Sequence, residues 1–556
     1  MDPPLRPSVP ACRSDSEPGP PGSRLSPAAR AGLLAFLLAV IPGCGGDGAT
    51  PPYDVVIQGG TVVDGTGAEG FEADVAVGGD RVVRVARDGL PADSARELLD
   101  ARGLVVAPGF VDHGTRLSPE IRDRPLLENF LRQGITTVLA SPRGGNGAWA
   151  PGSSVEGGEL ALNVGIFVDH ARIRREVMGE GDRSPTNEEL SEMEGLLAAG
   201  MREGALGLSV DPGRPPGAYA GTEELVSLAR VAARHGGLYY TQLRNEGPRV
   251  VDAVAEAVAI GREAGIPVHI QKHRSLGPPQ RGRTRETLAL MDSARAEGVD
   301  VTHDIHPYAA AVVEADDLFP VWARAGGADS LEARLRDPEV REALEREMRE
   351  AWLAQWTGDD LSRVQFGRIP GAPDYRGRTL ADLARARGLP NDVETGVELA
   401  IELRLDGGFS AIVQGVDERD MIRTLQHPHV MLQTGGEVVG HGVGHPDPPS
   451  HGAFPRVFSR YVRQLGALNL EGAVHRMTGR SMERLGLGDR GTLEEGRYAD
   501  VVVFDPAAMD DRATVAEPHR HSVGVVHTLV NGTPVLRDGS LTGRTPGRVL
   551  RRPLNW

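Results

Sequence analysis

The middle of the chain alternates short β-branched runs with helical stretches, and this pattern restricts the possible folds more than any other feature. Strand-like runs occupy residues 136–139, 204–209, 238–241, 268–271 and 301–303. Helical patterns occupy residues 187–203, 223–235 and 249–264. Such alternation predicts a parallel sheet covered by helices. Because the pattern continues from residue 108 to residue 484, it favours a closed (β/α)8 barrel over an open sheet.

Both ends of the folded chain carry short segments of alternating apolar and polar residues, separated by glycines. These segments lie at residues 53–107 and 491–538 and predict short strands joined by tight turns. We therefore expect an α/β fold, in which a TIM-like barrel accompanies a small β-sandwich domain formed by the N- and C-terminal segments. The expected boundaries are 53–107 for the first part of the sandwich, 108–484 for the barrel, and 485–556 for the second part with a C-terminal tail.

Residues 1–43 are typical of a secretory signal. Arg24 and Arg30 precede an apolar run that ends at Ile41, and Cys44 follows it. This order resembles a bacterial lipoprotein signal, so we expect acylation at Cys44, a tether at residues 44–52, and a lipid-anchored protein exported to a bacterial cell envelope. The alternative is a short core helix or a membrane anchor, although the run is too short to span a bilayer easily.

Charge and cysteine content exclude several classes of protein. The 556 residues carry a formal net charge of -16, which disfavours nucleic acid as a partner. The two cysteines, Cys12 and Cys44, precede the folded part, so we expect neither a disulfide nor a thiolate metal ligand in it. The expected partners are a small molecule and a membrane, the latter through the lipid anchor alone. The sequence does not determine the oligomeric state.

Several motifs resemble those of amidohydrolases. The opening strands at 53–67 and the Val106–Asp112 segment resemble the start of these proteins. Further segments resemble N-acyl-D-amino-acid deacylases, the D-aminoacylases, and lie at residues 175–179, 204–209, 216–220, 454–463 and 489–500. The resemblance covers nearly all of residues 53–550. It implies a (β/α)8 barrel that hydrolyses amides with zinc, which lowers the pKa of its bound water.

The resemblance also implies a set of zinc ligands and a catalytic acid, and this chain departs from it at each position. The family's His-x-His pair, cysteine and two further histidines fall on Gly114, Arg116, Arg143, Gln242 and Lys272. The proton-shuttling aspartate falls on Thr434. His113 is one residue away from the pair, so we expect it to point to the other side of its strand. We therefore expect a pseudoenzyme that has lost zinc, with no cofactor.

The remaining histidines leave an alternative open. His269, His273, His303 and His306 cluster near two strands, and imidazole groups bind transition metals. These histidines are either ordinary hydrogen-bonded side chains or ligands of zinc at a non-family site. In the second case the protein is an active enzyme that cuts the non-peptide C–N bond of N-acyl-D-amino acids. A Gly/Pro-rich loop holds three more, which form a surface metal patch or are simply solvated: His441, His445 and His451.

The substitutions at the family positions introduce positive charge. Like charges in a low-dielectric pocket repel by several kcal/mol, so they need Asp112, Glu246, Asp304 or an anionic ligand. We hypothesise that the pocket at the family's active-site positions binds an anion, such as an N-acyl amino acid or a cell-wall fragment, without cutting it. The expected ligand-binding residues are Arg116, Arg143, Gln242, Arg244, Lys272 and Arg274. The alternative is an internal network of salt bridges that only fills the barrel mouth.

Two further hypotheses come from other functional classes. Lys272 is a candidate base or Schiff-base nucleophile, since neighbouring cations activate a lysine amine. The other hypothesis is a non-catalytic interaction module, which is tethered to the membrane and presents its outer helices to a partner.

Overall fold

The computed structural model describes residues 52–117, 124–140, 159–440, 442–443 and 446–552. Cys44, Arg143, His441 and His445 therefore lie outside the described residues, and the predictions made for them stay predictions.

The N-terminal segment forms a set of paired strands. These are β1 (Tyr53–Val62), β2 (Phe71–Gly78), β3 (Arg81–Ala86), β4 (Ala95–Asp100) and β5 (Val105–Pro108). β1 pairs antiparallel with β2 and parallel with β4 and β5. We expected separate strands around residues 55 and 62, but β1 is continuous. Gly59, with φ of 73°, allows the β-bulge that carries the strand through the glycines.

Parallel strands and covering helices follow in alternation. The strands are β6 (Phe110–Thr115), β7 (Ile135–Ala140), β8 (Asn163–Gly165), β9 (Val168–Asp169), β10 (Gly207–Val210), β11 (Leu238–Thr241), β12 (Val268–Ile270) and β13 (Val301–Ile305). The helices are α1 (Glu128–Leu131), α2 (His170–Met178), α3 (Asn187–Arg202), α4 (Thr222–Arg234), α5 (Val250–Ala264) and α6 (Thr284–Ala296). The predicted helices α3, α4 and α5 agree with the structure to within a residue or two at each end. Their boundaries follow the sequence: a Thr186–Glu189 capping box begins α3, and Gly265 in the left-handed conformation ends α5.

A subdomain that the sequence did not predict is inserted after β13. It holds β14 (Ala311–Glu314), α7 (Gly327–Arg336), α8 (Pro338–Ala351), β15 (Val364–Phe366), α9 (Leu380–Ala386), α10 (Val393–Leu405) and β16 (Ser410–Val413). β14, β15 and β16 form an antiparallel sheet over a separate apolar core that includes Trp352 and Phe366. The sequence pattern concealed this insert because its strands and helices alternate like those of the barrel.

The last barrel strand closes the ring. Helix α11 (Glu418–Gln426) leads into β17 (Val430–Leu432), which pairs parallel with β13. Beyond β17 the chain meets the first barrel strand, since Arg116 and Glu437 form a parallel bridge and the Arg116 N–H donates to the Gly436 carbonyl at 2.8 Å. The predicted α/β barrel is therefore confirmed.

The C-terminal segment completes the β domain. It contains α12 (Pro449–Arg456), α13 (Leu470–Met477), α14 (Gly479–Leu485), β18 (Val501–Phe504), β19 (Val525–Val530), β20 (Thr533–Arg537), β21 (Ser540–Leu541) and β22 (Val549–Leu550). β18 pairs antiparallel with β5, which joins both ends of the folded chain in one sheet. β22 instead pairs with β8 of the barrel, so the tail leaves the β domain.

The prediction that His451 lies in a solvated loop is wrong. His451 lies in α12 and is 1% exposed, because the Pro448-Pro449 pair starts a helix that buries it. None of the helices in the described residues combines the length and the apolar character that a membrane crossing needs.

Candidate functional site

Three ionisable side chains meet inside the barrel. The ring of His113 on β6 stacks on that of His269 on β12, with centroids 5.0 Å apart. Nε2 of His269 lies 2.9 Å from Oδ2 of Asp304 on β13. One nitrogen or oxygen atom from each residue lies within 4.8 Å of the other two, and all three side chains are fully buried. We expected His113 to point away, but the pairing of β6 is irregular between Asp112 and Thr115, so simple alternation fails there.

Burial sets the protonation of this cluster. It lowers the pKa of His113 to about 3 and holds the pKa of His269 well below its usual value. It raises the pKa of Asp304 to about 6, against the hydrogen bonds that the carboxylate accepts. Both imidazoles are therefore neutral at pH 7, which is the form of histidine that binds metals.

The first pair of family ligand positions does not fit zinc. A Cβ atom on Gly114 would fall 1.8 Å from Oε1 of Gln433, so the glutamine already fills the space of a ligand there. Gln433 Nε2 donates to Asp304. Arg116 forms an ion pair with Asp447 at 2.8 Å. A guanidinium has no lone pair to offer a metal.

The other described family positions do not fit either. Gln242 offers a neutral amide, which is not among the usual zinc ligands. Lys272 holds an ammonium group that offers a metal no lone pair while protonated. The Lys272 backbone N–H donates to Oδ1 of Asp304 at 2.7 Å, with Lys272 at a φ of 51°. Thr434 donates its hydroxyl to Asp112 at 2.6 Å, and a hydroxyl is too weakly acidic to replace a proton-shuttling carboxyl group. The described residues at these positions therefore do not offer the Cys, His, Asp or Glu side chains that usually bind zinc.

Besides Arg116, two more of the cations predicted at the mouth are neutralised within the chain. Arg244 contacts Glu256 at 2.8 Å, and Arg274 contacts Glu246 at 2.6 Å. Arg274 also reaches Nε2 of His306 at 3.1 Å. The internal salt bridges proposed as an alternative are thus present for these arginines.

A cavity of about 400 Å³ lies beyond the ends of β10, β11 and β12, under the inserted subdomain. Of the predicted ligand-binding residues, Gln242, Arg244 and Arg274 line it, whereas Arg116 and Lys272 do not. Nε2 of Gln242 is buried and has no hydrogen-bond partner among the described residues. Of the five predicted ligand-binding residues that the structure describes, three therefore line the cavity and two do not.

Sequence reasoning missed two arginines on the cavity wall. Arg214 follows β10 and Arg324 belongs to the insert, and both form ion pairs with Asp317. Burial lowers the pKa of Arg324, and the neighbouring cation Arg214 lowers it further. The carboxylate of Asp317, and that of Asp211 on the same wall, raise it. Nε of Arg324 is buried without a hydrogen-bond partner within the described ranges. Since the insert was not recognised, the sequence carried no signal for Arg324.

The similarity to known proteins extends over most of the chain. Residues 400–536 match the model of the Amidohydrolase family. A D-aminoacylase of Alcaligenes xylosoxydans xylosoxydans is 34% identical, with 90% of this chain and 98% of the relative covered. An N-acyl-D-glutamate deacylase of the same organism is also 34% identical, covering 90% and 96%.

A solved structure has the same fold. The N-acyl-D-glutamate deacylase of Bordetella bronchiseptica, complexed with zinc and a phosphonate that mimics the tetrahedral intermediate, is 32% identical. The match covers 90% of this chain and 99% of that one, with a TM-score of 0.73. The barrel, the β domain and these identities agree: the chain belongs to the D-aminoacylase family of amidohydrolases.

Proposed function

We propose that this member of the family has lost zinc-dependent hydrolysis at the family's positions and binds an anionic small molecule, of the acylated amino acid class, in the mouth cavity. The observation that carries the binding proposal is the wall formed by Arg214 and Arg324. Both arginines share Asp317 as an ion-pair partner, and the buried Nε of Arg324 lacks a hydrogen-bond partner among the described residues.

The loss of hydrolysis follows from what the reaction requires. Metal-assisted hydrolysis needs an ion that activates water and a group that transfers a proton to the leaving nitrogen. Gly114 and Lys272 supply no ligand atom for the ion, and Thr434 supplies no acid. The side chain of Gln433, which lies against Gly114 and donates to Asp304, fills part of the space that a ligand needs.

The cavity suits a carboxylate attached to an apolar group. Its volume of about 400 Å³ lies within the usual range for small-molecule sites. Guanidinium groups bind carboxylates through paired N–H donors, and the unpartnered Gln242 amide adds another donor. Phe319, Trp322 and Trp356 line the same cavity and offer apolar surface for an acyl chain. The names of two relatives, an N-acyl-D-glutamate deacylase and an N-acyl-D-aspartate deacylase, support this class of ligand.

Calorimetric titration with an N-acyl-D-glutamate at pH 7 tests the binding proposal. We expect saturable binding to the wild type and at least tenfold weaker binding to Arg324→Met. Arg385→Met is the control, since Arg385 pairs with Asp382 at the surface and does not line the cavity. A folded wild type that binds none of a panel of N-acyl-D-amino acids would contradict the proposal.

A second candidate function is hydrolysis of the same substrates through a displaced metal. The cluster of His113, His269 and Asp304 favours it, because two imidazoles and a carboxylate form a metal-binding set. Against it stands the complete burial of all three side chains, which leaves a substrate no access. Lys272-based Schiff-base chemistry is weaker still, since Lys272 is 6% exposed and does not line the cavity.

We also propose that the protein is exported and lipid-anchored through Cys44. The support is the signal-like sequence of residues 1–43. Labelling of expressing bacteria with palmitate is expected to mark the wild type and Cys12→Ser, but not Cys44→Ser. Equal labelling of both variants would refute the anchor.

A further inference from the structure

We propose that His113, His269 and Asp304 form a closed binding site for one divalent transition-metal ion of the zinc type, inside the barrel and apart from the family's ligand positions. This inference is independent of the proposed function, since it concerns metal binding and not turnover.

The distances suit a metal after a small adjustment. One potential ligand atom from each side chain lies within 4.8 Å of the other two. Zinc bonds of roughly 2.0–2.2 Å place tetrahedral ligand atoms roughly 3.3–3.6 Å apart. Nε2 of His269 and Oδ2 of Asp304, now 2.9 Å apart, would therefore separate by a few tenths of an ångström, and a pair at the 4.8 Å limit would close by about 1.2–1.5 Å. Such a shift is within the reach of side-chain rotation.

The surrounding contacts orient the atoms that a metal would use. Nδ1 of His269 lies 2.9 Å from Oγ1 of Thr302, and Nδ1 of His113 lies 3.3 Å from Oη of Tyr240. Each imidazole is thus held through Nδ1, which leaves Nε2 for the centre of the cluster. Outer partners of this kind fix the tautomer and the ring orientation of metal-binding histidines.

Asp304 is oriented in the same way. Its Oδ1 accepts from the backbone N–H of Lys272 at 2.7 Å and from Nε2 of Gln433, whereas Oδ2 faces His269. One carboxylate oxygen is therefore held by the protein and the other points into the cluster. A cation there would also offset the cost of burying the carboxylate.

An unpaired atom marks the site independently. Nε2 of His113 is buried and has no hydrogen-bond partner in the part of the chain that the structure describes. Leaving such a group unpaired costs about 1–3 kcal/mol. A metal ion bound to this nitrogen would remove that cost.

The other histidines expected to form a displaced site have different partners. Nε2 of His273 contacts Thr287 at 2.8 Å, and Nε2 of His303 contacts His427 at 3.0 Å. Nε2 of His306 contacts Arg274, whose cation opposes a metal. Of the predicted four, His269 alone belongs to the metal-binding group found among the described residues.

Metal titration of the chelator-stripped full-length protein tests the site. With Zn²⁺ or Co²⁺ added and free metal removed, we expect one equivalent per chain by elemental analysis. His269→Gln and Asp304→Asn should lower the affinity at least 100-fold, and Thr302→Val about tenfold through its contact with His269. His273→Gln is the matched control, because His273 is equally buried nearby but lies outside the cluster.

A spectroscopic variant keeps the test decisive if the ligand variants do not fold. In the Co²⁺ form of His113→Cys, a thiolate-to-cobalt absorption band absent from the wild type is expected. A folded wild type that binds no metal would overturn the proposal. So would a His113→Cys protein that binds cobalt without the new band, or a bound ion that His451→Gln removes and His269→Gln retains.

Discussion

Thr434 donates its backbone N–H to Oδ1 of Asp112 at 2.7 Å and its hydroxyl to Oδ2 of the same carboxylate at 2.6 Å. Asp112 lies within β6, the first barrel strand, and Thr434 follows β17, the last. The two strands also meet through the Arg116–Glu437 bridge. Thr434, the residue to which the motif resemblance assigns the family's acid, therefore contributes here to closing the barrel.

Replacing Thr434 should weaken this closure. Thr434→Val keeps the size and shape but removes a donor from the buried Asp112 carboxylate, so we expect a loss of about 1–3 kcal/mol in the free energy of unfolding. Thr434→Ser keeps the hydroxyl and should lose less. Urea unfolding measures both, and equal stability of Thr434→Val and the wild type would show that the bond contributes nothing.

Restoring the family's acid alone should not restore activity. Thr434→Asp places a second carboxylate against Asp112 in a fully buried position, where two negative charges cannot both persist. We expect a lower melting temperature at pH 7 than at pH 5, and no deacylase activity. A well-folded Thr434→Asp protein that hydrolyses N-acyl-D-amino acids would contradict this prediction.

Gly114 is expected to tolerate no side chain while Gln433 is present. The Cβ of Gly114→Ala would lie 1.8 Å from Oε1 of Gln433, so one of them must move, at a cost of about 1–3 kcal/mol. Adding Gln433→Ala to Gly114→Ala should recover part of that loss, beyond the effect of Gln433→Ala alone. Thermal unfolding of the two single variants and the double variant completes the cycle, and simple additivity would disprove the clash.

The ion pair of Arg274 and Glu246 should show strong coupling. Arg274 is 6% and Glu246 16% exposed, and two Arg274 nitrogens contact Oε2 of Glu246 at 2.6 and 2.8 Å. Removing one partner leaves a buried charge, so Arg274→Met should lose about 3 kcal/mol. The Arg274→Met/Glu246→Gln double variant should be more stable than Arg274→Met. If the loss of unfolding free energy in the double variant equals the sum of the losses in Arg274→Met and Glu246→Gln, the two side chains are not coupled.

Asp169 should make stability fall as the pH rises. Burial raises its pKa to about 6, above the usual 3.8, although its hydrogen bond with the Ala171 N–H at the start of α2 opposes this. The folded state then binds more protons than the unfolded state between those values. The stabilising contribution is full below pH 3.8 and is lost as the pH rises through 6.

Asp169→Asn keeps an N-cap residue and removes the charge. It should be close to the wild type near pH 4 and exceed it by about 3 kcal/mol at pH 7. Denaturant unfolding across this range measures the difference, with Asp392→Asn at the start of α10 as a control for the substitution itself. A constant difference at all pH values would exclude Asp169 as the titrating group.

Local patterns in the sequence predicted much of the fold. Runs such as Leu238–Thr241 and the Thr186–Glu189 capping box specify strands and helix ends without distant contacts, and the structure contains both. The insert with Arg324 could not be recognised, because whether a strand joins the barrel depends on its partners. For the site, the frame of the motifs assigned Gly114 and Thr434 to family positions, and this assignment stays a prediction. Their contacts with Gln433 and Asp112 depend on packing between distant segments and could not be predicted. His113 was misjudged because an irregularity in β6 changes its direction.

The most direct test is a deacylase assay on the purified, zinc-loaded protein with N-acyl-D-glutamate and other N-acyl-D-amino acids. The account predicts no zinc-dependent release of the free amino acid, even where calorimetry detects binding of the same compound. Zinc-dependent turnover that a chelator abolishes and added zinc restores would contradict it.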